Sequence, residues 1–309
     1  MPAFNPIGST VSIAWESTFG TASTTNRFAP TLSGTVDVNR EKTINPFNRF
    51  GSNVPVDYTP ILGVSNTISI SGFLTNLYWL RALTGSAQTI TGTGPYTHTW
   101  NYSTTSGTTV SATIDVNDRR FAGCVIENAS ISCSIDDVAR FNISFRSLFN
   151  PTGITPSAPA TTGQDVFTYV GTALSGIGFT ATDIVRSITI NFTPNTEQLK
   201  RIGSLFPSTA VRRIFNITVD MEVLFSNYPA ITDMLSGSYT KYSTITDAII
   251  EMTNSSGNKT LRLRLRDIVY NVISWNETPE NLIIARLSGV VRSPASVLGE
   301  MITDTNTAF

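Results

Sequence analysis

The sequence predicts a mainly β protein: two tandem modules of sandwich or barrel type, each with one short α-helix and a long inter-strand arm. Three observations carry that expectation. One stretch passes from strand periodicity into helical periodicity, a second copy of it follows later in the chain, and the composition is rich in Ser, Thr and Asn but only 14% charged.

The first stretch runs from Thr67 to Ser86. Thr67-Ile-Ser-Ile-Ser-Gly-Phe73 alternates strictly, and Leu74-Thr-Asn-Leu-Tyr-Trp-Leu-Arg-Ala-Leu-Thr-Gly-Ser86 then takes up three-residue spacing. Alternation sets side chains on two faces of a strand, and the change of period marks entry into a helix. Thr75 or Asn76 can offer a capping oxygen, Leu77, Leu80 and Leu83 share one face, and Gly85 supplies a left-handed stop. The second copy reads Ile217-Thr-Val-Asp-Met-Glu-Val-Leu-Phe225, with Asn227 as cap, Pro229 in the first turn, Ile231, Met234 and Leu235 as apolar face and Gly237 as stop. Leu83 to Ser86 answers Leu235 to Ser238, and Val36 and Val38 answer Ile188 and Ile190, all at an interval of 152. Downstream, the pattern of Cys124 to Arg146 returns in Ile268 to Arg292, at an interval of 146. The predicted organisation is therefore module one over residues 1–149, a Pro-, Gly- and Thr-rich linker over 150–164, and module two over 165–309.

Taken in order, residues 1–30 read as irregular apart from a strand at Thr10 to Trp15. A strand at Gly34 to Val38 leads into Asn39-Arg-Glu-Lys-Thr-Ile-Asn-Pro-Phe-Asn-Arg-Phe50, a long irregular connection before the next strand. Such a connection is usually functional or an arm. The equivalent interval, Thr193 to Asn216, mixes Lys200, Arg201, Arg212 and Arg213 with Leu199, Ile202, Leu205 and Phe206, and basic beside apolar suits a contact surface. Tyr96 to Trp100, Thr109 to Asp115, Val125 to Ile135 and Arg140 to Phe145 read as further strands of module one. Module two opens at Asp165-Val-Phe-Thr-Tyr-Val and ends with a hairpin, Thr244 to Met252 against Lys259 to Arg266, turning at Asn254-Ser-Ser-Gly-Asn.

Reactive chemistry is hard to find. The lone histidine, His98, has no evident acidic or cysteine partner and reads as a surface or packing residue. No nucleophile elbow, phosphate-binding lysine loop or zinc spacing occurs, so neither an enzyme nor a metal or other cofactor is expected. Asp136 with Asp137, and Glu277 with Glu280, could bind a cation or share a proton, but read better as solvated turn residues in corresponding places. Arg262, Arg264 and Arg266 alternate with leucines; they could grip phosphate, though a neighbouring subunit is the favoured partner. Cys124 and Cys133 lie nine apart with opposite parity and read as free packing thiols in a reducing compartment. A net charge of −1 gives no basic footprint for reading nucleic acid. No run approaches eighteen apolar residues and Met1-Pro-Ala-Phe-Asn-Pro6 lacks a basic region, so neither a membrane span nor a standard export signal is expected.

Two inert β modules with arms suit a subunit of a repetitive assembly. Phe19-Gly-Thr-Ala-Ser-Thr-Thr-Asn-Arg-Phe-Ala-Pro30, Gly34-Thr-Val-Asp-Val-Asn-Arg-Glu41, the strand and helix over Ile68 to Gly85 and Tyr96-Thr-His-Thr-Trp100 together resemble the major tail tube proteins of long-tailed, siphovirus-like bacteriophages. The resemblance covers most of the first module and, more weakly, the second. It implies sheets that join those of neighbours into a barrel around a lumen, rings that stack into a tube delivering genomic DNA, and an arm reaching the adjacent ring. Most of the family carries one module and closes rings of six. Two modules here imply homotrimeric, pseudo-hexameric rings, with six chains as the other possibility. Arm contacts are then expected from Arg40, Lys42, Phe47, Arg49, Phe50, Lys200, Arg201, Phe206, Arg212 and Arg213, and lumen-facing acids from Asp115 and Glu251. The implied partners are further copies of the chain, tail terminator, tape measure and distal tail proteins, and double-stranded DNA passing without sequence reading, with no membrane. The implied location is the virion tail, and the host cytoplasm during assembly. Alternative readings are a baseplate or receptor-binding protein and a capsid decoration protein.

Overall fold

The computed structural model describes residues 10–31, 33–43, 46–48, 55–58, 63–102, 109–156, 159, 166–175, 184–212, 215–225, 248–254, 257–277 and 283–304. Through these the chain forms β1 (Val11–Trp15), β2 (Gly34–Thr43), β3 (Pro46–Asn48), β4 (Pro55–Tyr58), β5 (Gly63–Phe73), α1 (Leu80–Thr84), β6 (Thr89–Thr91), β7 (Tyr96–Asn101), β8 (Ala112–Val116), β9 (Arg119–Ser134), β10 (Arg140–Ser147) and β11 (Thr152–Gly153). It continues with β12 (Phe167–Ser175), β13 (Ile184–Thr193), β14 (Thr196–Lys200), β15 (Pro207–Arg212), β16 (Asn216–Phe225), β17 (Ala248–Asn254), β18 (Thr260–Glu277) and β19 (Ile283–Thr303). The molecule is mainly β, as expected, with several antiparallel sheets and, among the described residues, no closed barrel.

The core follows from period-two alternation. Ile68 and Ile70 on β5, Phe141, Ile143 and Phe145 on β10, Ile131 on β9, Ile188, Ile190 and Phe192 on β13, and Val219 and Met221 on β16 are all buried on one face. The intervening residues are Ser, Thr, Asn or charged, so a slip of one position would exchange the faces of a strand entirely. The short helix α1 covers the apolar face: Leu77, Trp79, Leu80 and Leu83 are fully buried, with Trp79 stacked on Phe141 and edge-on to Phe192, both at 6.2 Å. Each such side chain contributes about 1.5–3 kcal/mol of transfer free energy. Trp79 thus spans strands from both halves of the chain.

The helix begins later than its spacing suggests. Asn76 Oδ1 accepts from the Tyr78 N–H at 3.3 Å, and Trp79 holds the cap position without a side-chain cap bond. Asn76 also donates to the Ala29 carbonyl, so packing of Leu74 to Trp79 fixes a turn there and leaves only Leu80–Thr84 helical. Gly85 ends the helix at φ +76°, its N–H donating to the Arg81 carbonyl. The second expected helix, over Asn227 to Gly237, lies outside the described residues.

One sheet passes through both halves, in the order β12-β17-β18-β19-β16-β13-β9-β10-β5-β2. The first half contributes β2-β5-β10-β9 and the second β13-β16-β19-β18, joined where Ser134 to Ala129 of β9 pair with Ser187 to Phe192 of β13. Each half adds the same flank: β1-β8 on the first part of β9, and β12-β17 on the first part of β18. The residues expected to form the linker begin in this fabric, with Thr152 and Gly153 paired to Arg120 and Arg119.

The arms differ from the irregular connections expected of them. β2 and β5 stay paired from Gly34↔Gly72 to Thr43↔Gly63, and β3 and β4 form a further two-stranded ribbon. The second arm is the β14–β15 ribbon, from Thr196↔Arg212 to Lys200↔Pro207. Cross-strand bonds satisfy the backbone groups that a long irregular loop would leave to solvent. In the second ribbon the buried positions include Gln198 and Arg212 as well as Pro207 and Ala210, so a polar and a charged side chain interrupt the apolar alternation that would mark a strand.

Candidate functional site

The polar face of the shared sheet is built from registered rows of side chains. One registered row crosses six strands as Thr35, Ser71, Asn142, Ser130, Asn191 and Thr218. The next contains Arg140, Ser132, Thr189, Asp220 and Ser288. The arginines of this face are paired with acids of the same chain at several points. Arg186 and Arg286 both reach Glu222, at 3.0 and 3.5 Å, and Arg146 reaches Glu127 at 3.2 Å. Asp220 accepts from Ser288 Oγ at 2.6 Å and Asn191 Nδ2 at 3.0 Å. Arg140 lies 3.4 Å from Asp137, its guanidinium 5.3 Å from the Phe73 ring centre. Asp137 also accepts from the Val138 N–H, and these bonds hold its carboxyl below the usual range.

The sheet ends in two edges. Among the described residues β2 pairs only with β5, and the part of β18 beyond Leu265 pairs only with β19. At the first edge Val38 is 41% exposed, whereas Ile190, its counterpart on β13, is 0% exposed beside β9.

The predicted contact residues fall in different settings. Arg40 on β2 donates to Asn150 Oδ1 at 2.9 Å and is exposed. Lys42 lies opposite Val64, and Phe47 opposite Asp57 in the small ribbon. Lys200 and Arg201 are exposed at the tip of the second arm, next to Ile202, which is 108% exposed. Phe206 stacks on Phe149 with ring centres 5.5 Å apart. Arg212 is buried: it donates to the Leu83 carbonyl and sits 5.0 Å from the Tyr102 ring centre and 5.8 Å from that of Phe215. Arg49, Phe50 and Arg213 lie outside the described residues. The second arm thus folds onto the first half, and Gln198, which no sequence signal singles out, donates to the Gly123 and Arg146 carbonyls at 3.1 and 2.8 Å.

The two acids expected at the lumen occupy equivalent cross-strand pairs. Asp115 on β8 faces Arg120 on β9, at 2.7 Å, and also meets Arg27 at 2.8 Å. Its burial pushes the carboxyl up, and Arg27 opposes that shift. Glu251 on β17 faces Arg262 on β18 at 2.5 Å, and Arg264 meets Glu300 at 3.1 Å. Both carboxylates, and two arginines of the basic stripe, are therefore neutralised inside the chain.

His98 is buried between Tyr78 and Trp100, with ring centres 6.0 and 6.4 Å away, as a packing residue. Cys124 and Cys133 are free and buried, and burial raises both thiols. Asp136 takes φ +62° in the turn after β9, Glu277 ends β18, and Glu280 lies outside the described residues. Among the described residues no group of three or more His, Cys, Asp or Glu could hold a metal ion, and no helix is long and apolar enough to cross a membrane.

A sheet with a polar face on which arginines are paired with acids, and no cluster of reactive groups among the described residues, describes a structural subunit. The chain belongs to the phage tail tube protein family, whose model matches residues 7–294. That family is structural, not enzymatic, and its place is the virion tail. A comparison with curated proteins finds no match.

Proposed function

We propose that the chain is a duplicated tube module, and that three copies close a ring of six quasi-equivalent modules. Such rings stack into the hollow tail tube of a siphovirus-like phage, through which double-stranded DNA passes to the host. The observation that carries this reading is the repeated strand order, β2-β5-β10-β9 then β13-β16-β19-β18, within one sheet whose edges have no further partner among the described residues. Unpaired edges invite another chain, and a closed ring removes both the unpaired groups and the aggregation hazard. The polar face supports a lumen role because its arginines are matched by acids, so passing phosphates gain little from counterion release. The exposed tip of the second arm, Lys200, Arg201 and Ile202, suits contact with the next ring. Partners are then further copies of the chain, the tail terminator, tape measure and distal tail proteins, in the virion tail and, during assembly, in the host cytoplasm.

Negative-stain electron microscopy of the purified chain, concentrated at moderate salt, tests the reading. Hollow tubes with a regular axial repeat and three-chain end views are expected. Compact monomers under every condition, including seeding with tail fractions, would overturn it.

A further inference from the structure

The chain contains one finished copy of a junction that its two ends leave half-made. At the β9–β13 seam Ser132 pairs with Thr189, Ile131 with Ile190, and Ser130 with Asn191. The first-half strands map onto the second through shared pairing. Phe141 lies opposite both Gly72 and Ile131, as Ala285 lies opposite both Val223 and Trp275. Val36 lies opposite Ile70, as Ile188 lies opposite Met221. β18 therefore holds the place of β9, and β2 the place of β13. The strand that β9 meets at its far edge is the strand that β18 lacks among the described residues, and the reverse holds for β2.

We propose that β18 of one chain pairs antiparallel with β2 of a second copy in the register of the internal seam: Asn276 opposite Asp37, Trp275 opposite Val38, and Ser274 opposite Asn39. The proposal rests on the ring reading and deepens it, by naming the edges and the register. The exposure of Val38 against the complete burial of Ile190 is what a missing neighbour at this edge produces. Asp37, Asn39, Ser274 and Asn276 are all exposed in the single chain, and in this register they fall on the polar face, as Thr189, Asn191, Ser130 and Ser132 do at the internal seam. The arms extend the same logic. Gln198, Phe206 and Arg212 of the second arm rest on the first half beside the internal seam. The β3–β4 ribbon accordingly belongs on the second half of the neighbouring copy.

Cysteine pairs test the register. Directly opposed Cβ atoms lie about 4.5–5.5 Å apart, close enough for a disulfide after small adjustment, whereas a two-residue offset exceeds its reach. The variants Asp37→Cys/Asn276→Cys and Asn39→Cys/Ser274→Cys, assembled and oxidised, should give inter-chain disulfides several-fold more readily than the offset pair Asp37→Cys/Ser274→Cys. Covalent species should stop at the number of chains in a ring. Val38→Asp should keep the fold, read by circular dichroism, and lose assembly. Rings that form by microscopy yet cross-link no better in register than out of it, or that tolerate Val38→Asp, would overturn the seam and leave the ring reading standing. Absence of rings in the unmodified chain would overturn the ring reading itself.

Discussion

Four donors converge on the Glu16 carboxylate: Oε1 accepts from Thr113 Oγ1 at 2.9 Å and the Gly123 N–H at 2.8 Å, and Oε2 from Ser111 Oγ at 2.6 Å and the Gly20 N–H at 2.9 Å. The group ties the start of the chain to β8 and β9 beneath Phe149, which leaves no room for a Cβ on Gly123. Glu16→Ala would strand two backbone donors, and a loss of about 2–4 kcal/mol is expected in denaturant unfolding. Burial raises the Glu16 carboxyl above its ordinary 4.5, against the four hydrogen bonds. A raised acid holds its proton longer when folded, so its contribution to stability is greatest below pH 4.5 and falls as pH climbs through the raised value. Glu16→Gln removes that slope. Its deficit relative to the native chain should therefore narrow between pH 4.5 and neutrality, as read from unfolding midpoints; a deficit that widens with pH would contradict the assignment. No periodicity announces Glu16, because three of its four donors lie 95, 97 and 107 positions away.

At the scale of elements, the second arm separates two kinds of residue that look alike in sequence. Arg212 is enclosed by Tyr102, Phe215 and the Leu83 carbonyl, while Ile202 stands in solvent at the tip. Arg212→Ala should lower stability by about 2 kcal/mol through the lost cation–π contacts and charge-assisted bond, and should expose β14–β15 to protease. Ile202→Ser should leave the unfolding midpoint unchanged and weaken tube formation, seen as a higher critical concentration in sedimentation. The strand at Thr67 to Phe73 and the stop at Gly85 were legible because local periodicity and a left-handed glycine are local facts. The arm ribbons were not, since Asn39 to Lys42 alternates nothing apolar against its partner strand. Asp115 and Glu251 were assigned to their strands, but the arginines opposite them come from register, which a single strand does not reveal.

For the whole molecule, the proposed lumen makes charge balance on the polar face the decisive variable. Glu222 matches two arginines and Glu127 a third, so the face offers phosphate few uncommitted cations. Ser132, Thr189 and Asn191 lie on adjoining registered rows of that face, across β9 and β13. Replacing all three by lysine adds three charges per chain without touching the core, because each side chain points away from Ile131 and Ile190. If rings stack as proposed, the added charge repeats along the tube and neutralises phosphates at each level. Each phosphate contact steepens the dependence of log affinity on log salt by about 0.9. Tubes of the lysine variant should therefore retain short double-stranded DNA in co-sedimentation at low salt and release it steeply as salt rises, while native tubes retain little at either. Equal retention by both would place DNA somewhere other than this face. Retention by native tubes alone would mean that the polar rows bind DNA rather than let it slide, which is the opposite of what a conduit requires.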